Sequence, residues 1–310
     1  MTENQLAPTA RLDIKVGFSC NNRCSFCVQG DKRLTIPDRN TNEIREILTT
    51  RRNRFTGVVF TGGEVTIRAD LVDLVVFAKS IGYETIQIQT NGRRLSYLPY
   101  LRRLKEAGVT EIAPALHGST PALHDSLVRS RNAFVQTVLG IRHSVAMGLP
   151  VITNSVVVND NVTDLPALAK LLCNLGVRQI QLAFVHPEGT AKTHFNAVVP
   201  TFSFAMPYVK QALQIAQSAG VRAFTEAIPY CFMGGFEQHV VESYIPETCV
   251  VDKPETIESY TDYRWSLGKV HGECCRQCTH ASICEGPWRE YPEVHGWGEF
   301  IPRTDLVISY

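Results

Sequence analysis

Long uninterrupted apolar runs are missing from this chain, and no stretch is long enough to cross a bilayer as a helix. The opening segment, MTENQLAPTA, has no basic stretch followed by an apolar core, so it does not read as a secretory signal. An excess of charge is missing as well: 31 Lys and Arg against 30 Asp and Glu leave a formal net charge of +1. The basic pairs Arg51-Arg52 and Arg102-Arg103 fall on helical patterns and read as solvated faces. That balance disfavours a nucleic-acid partner, which asks for a basic face. Cysteine, by contrast, is plentiful, with ten in 310 residues. Without a secretion signal these point to metal ligation in a reducing compartment rather than to disulfides, and the chain is expected in the cytoplasm with no membrane contact. A hydrophobic content of 44% fills one large α/β domain and an appendage.

Strand-like and helix-like segments alternate along residues 10–226. The alternating stretch Leu12–Phe18 reads as a first strand and Val58–Thr61 as a second, followed by a helix over Asp70–Ile81 that stops at Gly82. Strand Thr85–Gln89, helix Leu98–Ala107 and strand Glu111–Leu116 come next. Ser119-Thr120-Pro121 reads as a helix start. Helix Phe134–Met147, strand Val151–Val158, helix Leu165–Leu175 and strand Gln179–Val185 complete six repeats. Helix Pro207–Ala219 and strand-like Val221–Thr225 close the series. Repeats of this kind argue for a parallel sheet with right-handed crossovers, open or closed into a barrel. Residues 227–310 break the pattern with irregular Gly-, Pro-, Cys- and aromatic-rich sequence, too short for an ordinary core and expected to fold around metal.

Three cysteines, Cys20, Cys24 and Cys27, stand as C-x3-C-x2-C in FSCNNRCSFCVQG, just after the first strand. Three thiolates on so short a loop can hold three irons of a cubane cluster and leave the fourth open; a zinc site is the alternative. Thr61-Gly62-Gly63-Glu64 ends the second strand, where two residues without Cβ let backbone approach a ligand and the Glu64 carboxylate can accept from an ammonium group. A tight strand–helix turn is the plainer reading of that Gly-Gly. Further polar residues gather at strand ends: Thr90 and Asn91 after the third, His117 after the fourth, Asn154 within the fifth, and His186 and Glu188 after the sixth. Parallel barrels place their sites there, although a histidine under a loop is often a satisfied core residue.

The triad, with Phe26 as the aromatic in C-x3-C-x-aromatic-C, followed by Gly62-Gly63-Glu64 one strand later, resembles the cluster loop of radical S-adenosylmethionine (radical SAM) enzymes. The resemblance implies a partial (βα)6 TIM-like barrel over residues 10–226, after a tail at 1–9. It implies a 4Fe–4S cluster on Cys20, Cys24 and Cys27, with S-adenosylmethionine chelating the open iron. Glu64, Gly62 and Gly63 then hold the methionine amine, Asn154 meets the ribose or carboxylate, and the backbone of Val185 borders the adenine. Phe26, Thr90 and Asn91 complete the cofactor site, and His117 and Glu188 are the candidate catalytic groups. A reduced flavodoxin or ferredoxin is the implied electron source.

A second constellation lies in ECCRQCTHASICEGPWREY, where Cys275, Cys278 and Cys284 are spaced C-x2-C-x5-C. This resembles the core of SPASM and twitch extensions, which carry auxiliary iron–sulfur clusters. The position four residues on, cysteine in the fuller SPASM pattern, is Trp288, so one further cluster is expected rather than two. Cys231 is the first choice for its fourth ligand, with Cys249 and Cys274 as alternatives, and zinc remains the alternative metal. The expected activity is hydrogen abstraction from, or addition to, a small molecule by a 5′-deoxyadenosyl radical. The substrate is a nucleoside, a sugar or an amino-acid derivative. Only about twenty residues precede the cluster loop, which disfavours a peptide-recognition domain. Maturation of a peptide is the alternative within the family, and a non-catalytic zinc or iron–sulfur scaffold the alternative outside it.

Overall fold

Strand β1 (Arg11–Lys15) sets the pattern of the molecule, with Leu12 and Ile14 fully buried while Arg11, Asp13 and Lys15 face the other way, only partly covered. In the computed structural model, which describes residues 10–305 and 307, the apolar face of this strand looks out toward helices and the polar face looks into a barrel. The expected tail at residues 1–9 lies outside the described residues.

Five further strands follow in the order expected: β2 (Gly57–Thr61), β3 (Thr85–Thr90), β4 (Glu111–Pro114), β5 (Ile152–Val157) and β6 (Gln179–Phe184). Consecutive strands pair in parallel, β4 and β5 through the two bridges Ile112–Val151 and Ala115–Asn154. β7 (Arg222–Glu226) extends the wall beside β6. The outer layer contains α1 (Thr41–Arg51), α2 (Leu71–Ser80), α3 (Leu98–Ala107), α4 (Pro121–Val128), α5 (Ala133–Ala146), α6 (Leu165–Asn174) and α7 (Phe202–Ser218). α1 opens with a reciprocal cap, in which Asn40 Oδ1 accepts from the Glu43 amide at 3.0 Å and the Glu43 carboxylate accepts from the Asn40 amide at 2.6 Å. This is an α/β partial barrel with its apolar core outside the strands. Leu12, Ile14, Val58, Phe60, Ile86 and Ile88 bury against Ile44, Leu48, Leu74 and Leu101 in one half. Ile180, Leu182 and Phe184 bury against Leu168, Leu172, Phe202 and Val209 in the other. Each such side chain contributes roughly 1.5–3 kcal/mol.

Two boundaries differ from the sequence reading. α7 begins at Phe202 rather than at Pro207, because its first amides are capped from the tail: the Ser203 amide donates to Glu299 at 2.7 Å and the Phe202 amide to the Tyr291 hydroxyl at 3.0 Å. The tail is also less irregular than expected. β8 (Thr248–Val251) returns to pair in parallel with β1 and carries the short antiparallel β9 (Thr256–Ile257), covering the edge that β1 would otherwise expose.

Candidate active site

The cysteine loop leaves β1 and is tied down from four sides. Its start is zipped to the end of β2: the Gly63 amide donates to the Gly17 carbonyl and the Glu64 amide to the Ser19 carbonyl, both at 2.8 Å. A Cβ on Gly62 would lie 2.2 Å from the Gly17 carbonyl oxygen, and one on Gly63 would lie 2.3 Å from that of Ser19. The two glycines are thus required by the backbone of the cysteine loop itself, a closer neighbour than the ligand for which the sequence seemed to reserve them. Asp38 supports the same turn, its carboxylate accepting from the amides of Phe18 at 2.6 Å and Ser19 at 3.0 Å. Burial opposes ionisation of Asp38, but those two amides and Arg68 outweigh it and hold the group below the usual carboxylate range. The far end of the loop is bound by Arg93, whose guanidinium donates to the Asn21 carbonyl, the Asn22 side chain and Ser130 at 2.8 Å each. The Arg23 and Ser25 amides donate to the carbonyls of Val128 and Leu127, and the Cys27 carbonyl accepts from the Thr190 amide beyond β6.

Cys20, Cys24 and Cys27 line one cavity of about 190 Å³ together with Gly62, Gly63, Thr90, Asn91, His117, Asn154, Gln29 and Arg33. Burial pushes the Cys20 thiol up to about 11, helped by Glu64 and Cys27, and burial with the neighbouring sulfurs pushes Cys24 up further. Thiols gathered this way give up their protons readily only to a cation, which is the donor chemistry of a metal cluster.

Glu64 is almost fully buried and already holds four donors. Oε1 accepts from the Thr66 amide at 2.9 Å, the Thr66 hydroxyl at 2.5 Å and the Thr90 hydroxyl at 2.6 Å, and Oε2 accepts from the Asn91 amide at 2.6 Å. The carboxylate staples the ends of β2 and β3 and keeps one lone pair on Oε2. Asn91 in turn donates to the Asn21 side chain at 2.6 Å. Asn154 Oδ1 is buried with no hydrogen-bond partner and borders both this cavity and the barrel interior. An orphaned acceptor beside a cavity awaits a ligand donor, which suits the hydroxyls of a ribose. The residues therefore fit a cluster with S-adenosylmethionine.

His117 lines the cavity edge-on to Phe26, with ring centroids 4.8 Å apart. Its Nδ1 accepts from the Val156 amide at 3.1 Å, so the network assigns the proton to Nε2. Burial, with His124 beside it, depresses its pKa to about 3, and the ring stays neutral. Val185 is buried, its amide spent on the Val157 carbonyl, and it is not among the residues bordering this cavity. Glu188 sits apart, half-exposed, in a cavity of about 680 Å³ at the barrel mouth, 3.8 Å from His186, whose ring stacks on Trp288.

In the tail, Cys231, Cys275, Cys278 and Cys284 line one small cavity with Cys274, and the sulfurs acting most strongly on the buried, pushed-up Cys231 thiol are those of Cys284, Cys275 and Cys278. Cys249 lies elsewhere, fully buried in β8 with its sulfur 3.8 Å from Glu258, a carboxylate already gripped by Arg51 and Arg54. A buried ion network knits this region together: Arg264 and Lys269 both bind Glu285, and Lys269 also binds Glu242 at 2.7 Å.

Asp38, Arg93 and Gln29 went unnoticed in the sequence, as did the polar lining of the barrel. A signal for the lining was present: Arg-Leu-Asp-Ile-Lys in β1, and glutamines two residues apart in β3 and β6, alternate where a strand buried on both faces reads as continuously apolar.

The fold recurs in known proteins. Streptococcus suis SuiB bound to S-adenosylmethionine superposes with a TM-score of 0.67 at 14% identity, over 96% of this chain and 77% of that one. A radical SAM methyltransferase from Sphaerobacter thermophilus gives 0.50 at 20% identity, over 69% and 64%. In sequence, the chain is 32% identical over 195 residues to a probable GTP 3′,8-cyclase of Saccharolobus islandicus, 61% of each chain. It thus spans about three fifths of the length of the curated relatives it matches. Residues 14–182, more than half of the chain, match the model of the Radical SAM superfamily, and the protein belongs to that superfamily.

Proposed function

We propose that this radical SAM enzyme acts on a small molecule held in the barrel and at its mouth, with residues 10–226 as the catalytic unit and 227–310 as a second, metal-bound unit. A non-catalytic scaffold is set aside by family membership. When bound, the 4Fe–4S cluster and S-adenosylmethionine supply, on one-electron reduction, a 5′-deoxyadenosyl radical that abstracts hydrogen from, or adds to, a substrate. The chain does the rest. Cys20, Cys24 and Cys27 hold the cluster on a loop fixed by Asp38 and Arg93. The remaining lone pair of Glu64 accepts from the methionine ammonium, while Thr90, Asn91 and the Gly62-Gly63 turn keep that carboxylate in place. Asn154 accepts from the ribose, and Phe26 and neutral His117 wall the nucleoside. Glu188 meets the substrate at the mouth. The electron comes from a flavodoxin- or ferredoxin-type partner.

The observation that carries this reading is a single one: the three thiols, the Gly62-Gly63 turn and the orphaned Asn154 oxygen border one cavity. Four sulfurs in the tail, Cys231, Cys275, Cys278 and Cys284, would hold a second 4Fe–4S cluster. The support is that all four thiols border one small cavity, with zinc on the same thiolates as the alternative metal. The relatives named as probable GTP 3′,8-cyclases act, by that name, on a small molecule, which supports the same substrate class over a peptide. The test is anaerobic reconstitution of the full chain with iron and sulfide, then reductant and S-adenosylmethionine, with 5′-deoxyadenosine measured by mass spectrometry. The nucleoside is expected from the native protein and not from a variant with Cys20, Cys24 and Cys27 all changed to Ala. An iron-loaded protein that never forms it sinks the reading.

A further inference from the structure

Beneath the cofactor cavity the barrel is hollow. A space of about 380 Å³ is bordered by Arg11, Asp13, Lys15, Gln87, Gln89, Glu111, Asn154, Gln179, Gln181 and Glu226. It shares Gln89 and Asn154 with the cofactor cavity, and Lys15, Val250 and Tyr260 with the mouth. The interior of such a barrel is ordinarily packed with branched apolar side chains, so polar lining here is a feature to be explained.

The hydrogen-bonding state of these groups is lopsided. Most of the cations are already engaged: Arg11 with Asp13 at 3.0 Å, Lys32 with Asp252 at 3.0 Å, and Lys253 with Glu43 at 3.5 Å. Among the described residues, only Lys15 offers these two spaces an uncommitted ammonium. The acceptors are mostly free. Glu111 receives only the Gln87 amide and Glu226 only the Gln181 amide. Among the described residues, the carboxylates of Glu255 and Asp262 at the mouth enter no ion pair. Over the interior and mouth together, the cations Arg11, Lys15, Lys32 and Lys253 face the acids Asp13, Glu111, Glu188, Glu226, Asp252, Glu255 and Asp262, a surplus of three negative charges.

A second observation points to a ligand independently of charge. Gln29, two residues after the last cysteine of the loop, is only 8% exposed, yet its Oε1 has no hydrogen-bond partner, and it borders both the cofactor cavity and the mouth. With Asn154 Oδ1 given to the cofactor ribose, Gln29 Oε1 is the buried acceptor left over for a second ligand. A buried acceptor left unpaired destabilises the fold, so the space calls for a donor. Next to Glu226, Ala227 adopts φ 59°, and its amide N–H donates to the Glu242 carboxylate at 2.6 Å. Burial, then Glu242, raises the Glu226 pKa in spite of Lys269 and Arg264, and an incoming cation would relieve what those two leave uncompensated.

Resting on the reading that the barrel holds the substrate, we propose that this substrate is a donor-rich amine, a molecule or side chain whose protonated nitrogen is taken by Glu111 and Glu226 in the barrel interior. A polyanion such as a nucleoside triphosphate is excluded by the same groups. Amino sugars and basic amino acids share this chemistry.

The experiment is calorimetric titration of the reconstituted holoenzyme with S-adenosylmethionine bound, using glucosamine, lysinamide and GTP as probes. At least one amine should bind saturably and GTP should not. Glucosamine alone points to a free amino sugar, and lysinamide alone to an amino-acid or peptide source. Glu111→Gln and Glu226→Gln, which keep shape and lose charge, should each weaken the amine at least tenfold, about 1.4 kcal/mol. Glu46→Gln, on the outer surface, should change nothing. Substrate-free cleavage of S-adenosylmethionine by each variant shows that it is folded and loaded. Saturable GTP binding, no binding by either amine, or unchanged amine affinity in both interior variants overturns the proposal. Loss of S-adenosylmethionine cleavage in the native protein would instead overturn the functional reading.

Discussion

Gly63→Ala is the most economical probe of the site, because its cost can be worked from contacts. The new Cβ would stand 2.3 Å from the Ser19 carbonyl oxygen and 2.5 Å from that of Phe18. Both neighbours are backbone, so no flexible side chain can swing away, and one loop must move by about 1 Å to restore van der Waals contact. Overpacking of this kind costs about 1–3 kcal/mol. The same shift loosens the amide bonds of Gly63 to Gly17 and Glu64 to Ser19, each about 1 kcal/mol net. The total is roughly 3–5 kcal/mol, a drop in melting temperature on the order of 10 °C. The displaced carbonyl belongs to the residue before Cys20, so iron binding falls with stability. Gly148→Ala is the control: its φ is +72°, but nothing lies within 4 Å of the added Cβ, so it pays only the left-handed backbone penalty of about 1 kcal/mol. Anaerobic purification, iron per chain and thermal melting of the three proteins decide the matter. Native iron content and melting temperature in Gly63→Ala, or equal losses in Gly148→Ala, would refute the steric account.

Cys231→Ser should remove the iron of the tail and leave that of the Cys20 loop, whereas Cys249→Ser should leave total iron unchanged, read by iron analysis and the absorption near 400 nm. Equal loss in both would deny Cys231 its ligand role. Glu64→Gln should impair S-adenosylmethionine binding as severely as Glu64→Ala, since an amide nitrogen at either oxygen position meets a donor, Asn91 N–H or the Thr66 and Thr90 groups. Affinity near native in the Gln variant, measured by equilibrium dialysis, would contradict this. Stability should fall in mild acid because His117 and His124 are buried neutral, with pKa values near 3 and 4. Below the ordinary value of 6.5 the unfolded chain takes up protons that the folded chain refuses, so each histidine costs about 1.4 kcal/mol per pH unit until its folded pKa is reached. Denaturant unfolding at pH 7 and pH 5.5 should show that slope, and His124→Phe should flatten it by about half.

The alternation of strands and helices was legible because each β strand carries an apolar face that must meet a helix, and α2, α3, α5, α6 and α7 each run out at a glycine that the sequence displays. The cysteine loop and Gly62-Gly63-Glu64 were legible because spacing along a short loop is nearly spacing in space. The role of the glycines was not, since it depends on which backbone lies against them, and that is decided by the parallel pairing of β1 with β2. Asp38 and Arg93 were invisible for the same reason: they act on a loop 19 to 72 residues away in sequence. The return of β8 to β1 escaped notice because four β-branched and small residues in an irregular tail carry too little periodicity to announce a strand.

The barrel makes these separate facts one argument. With the apolar core placed outside the strands, stability rests on the contacts between strands and helices, and the inward positions can be polar without interrupting that core. That freedom is used unevenly along the barrel axis. At the C-terminal ends of the strands, polar groups are spent on each other: Glu64 on Thr66, Thr90 and Asn91, Asp38 on the cysteine loop, Arg93 on Asn21 and Asn22. Groups so committed are rigid, as a cluster that must be held in one geometry requires. Deeper in the interior, and at the mouth, acceptors are left over: Gln29, Glu111 and Glu226. A chain that satisfies its polar groups around the cofactor and leaves them unsatisfied around an adjoining space has divided one barrel into a fixed site and a receiving one.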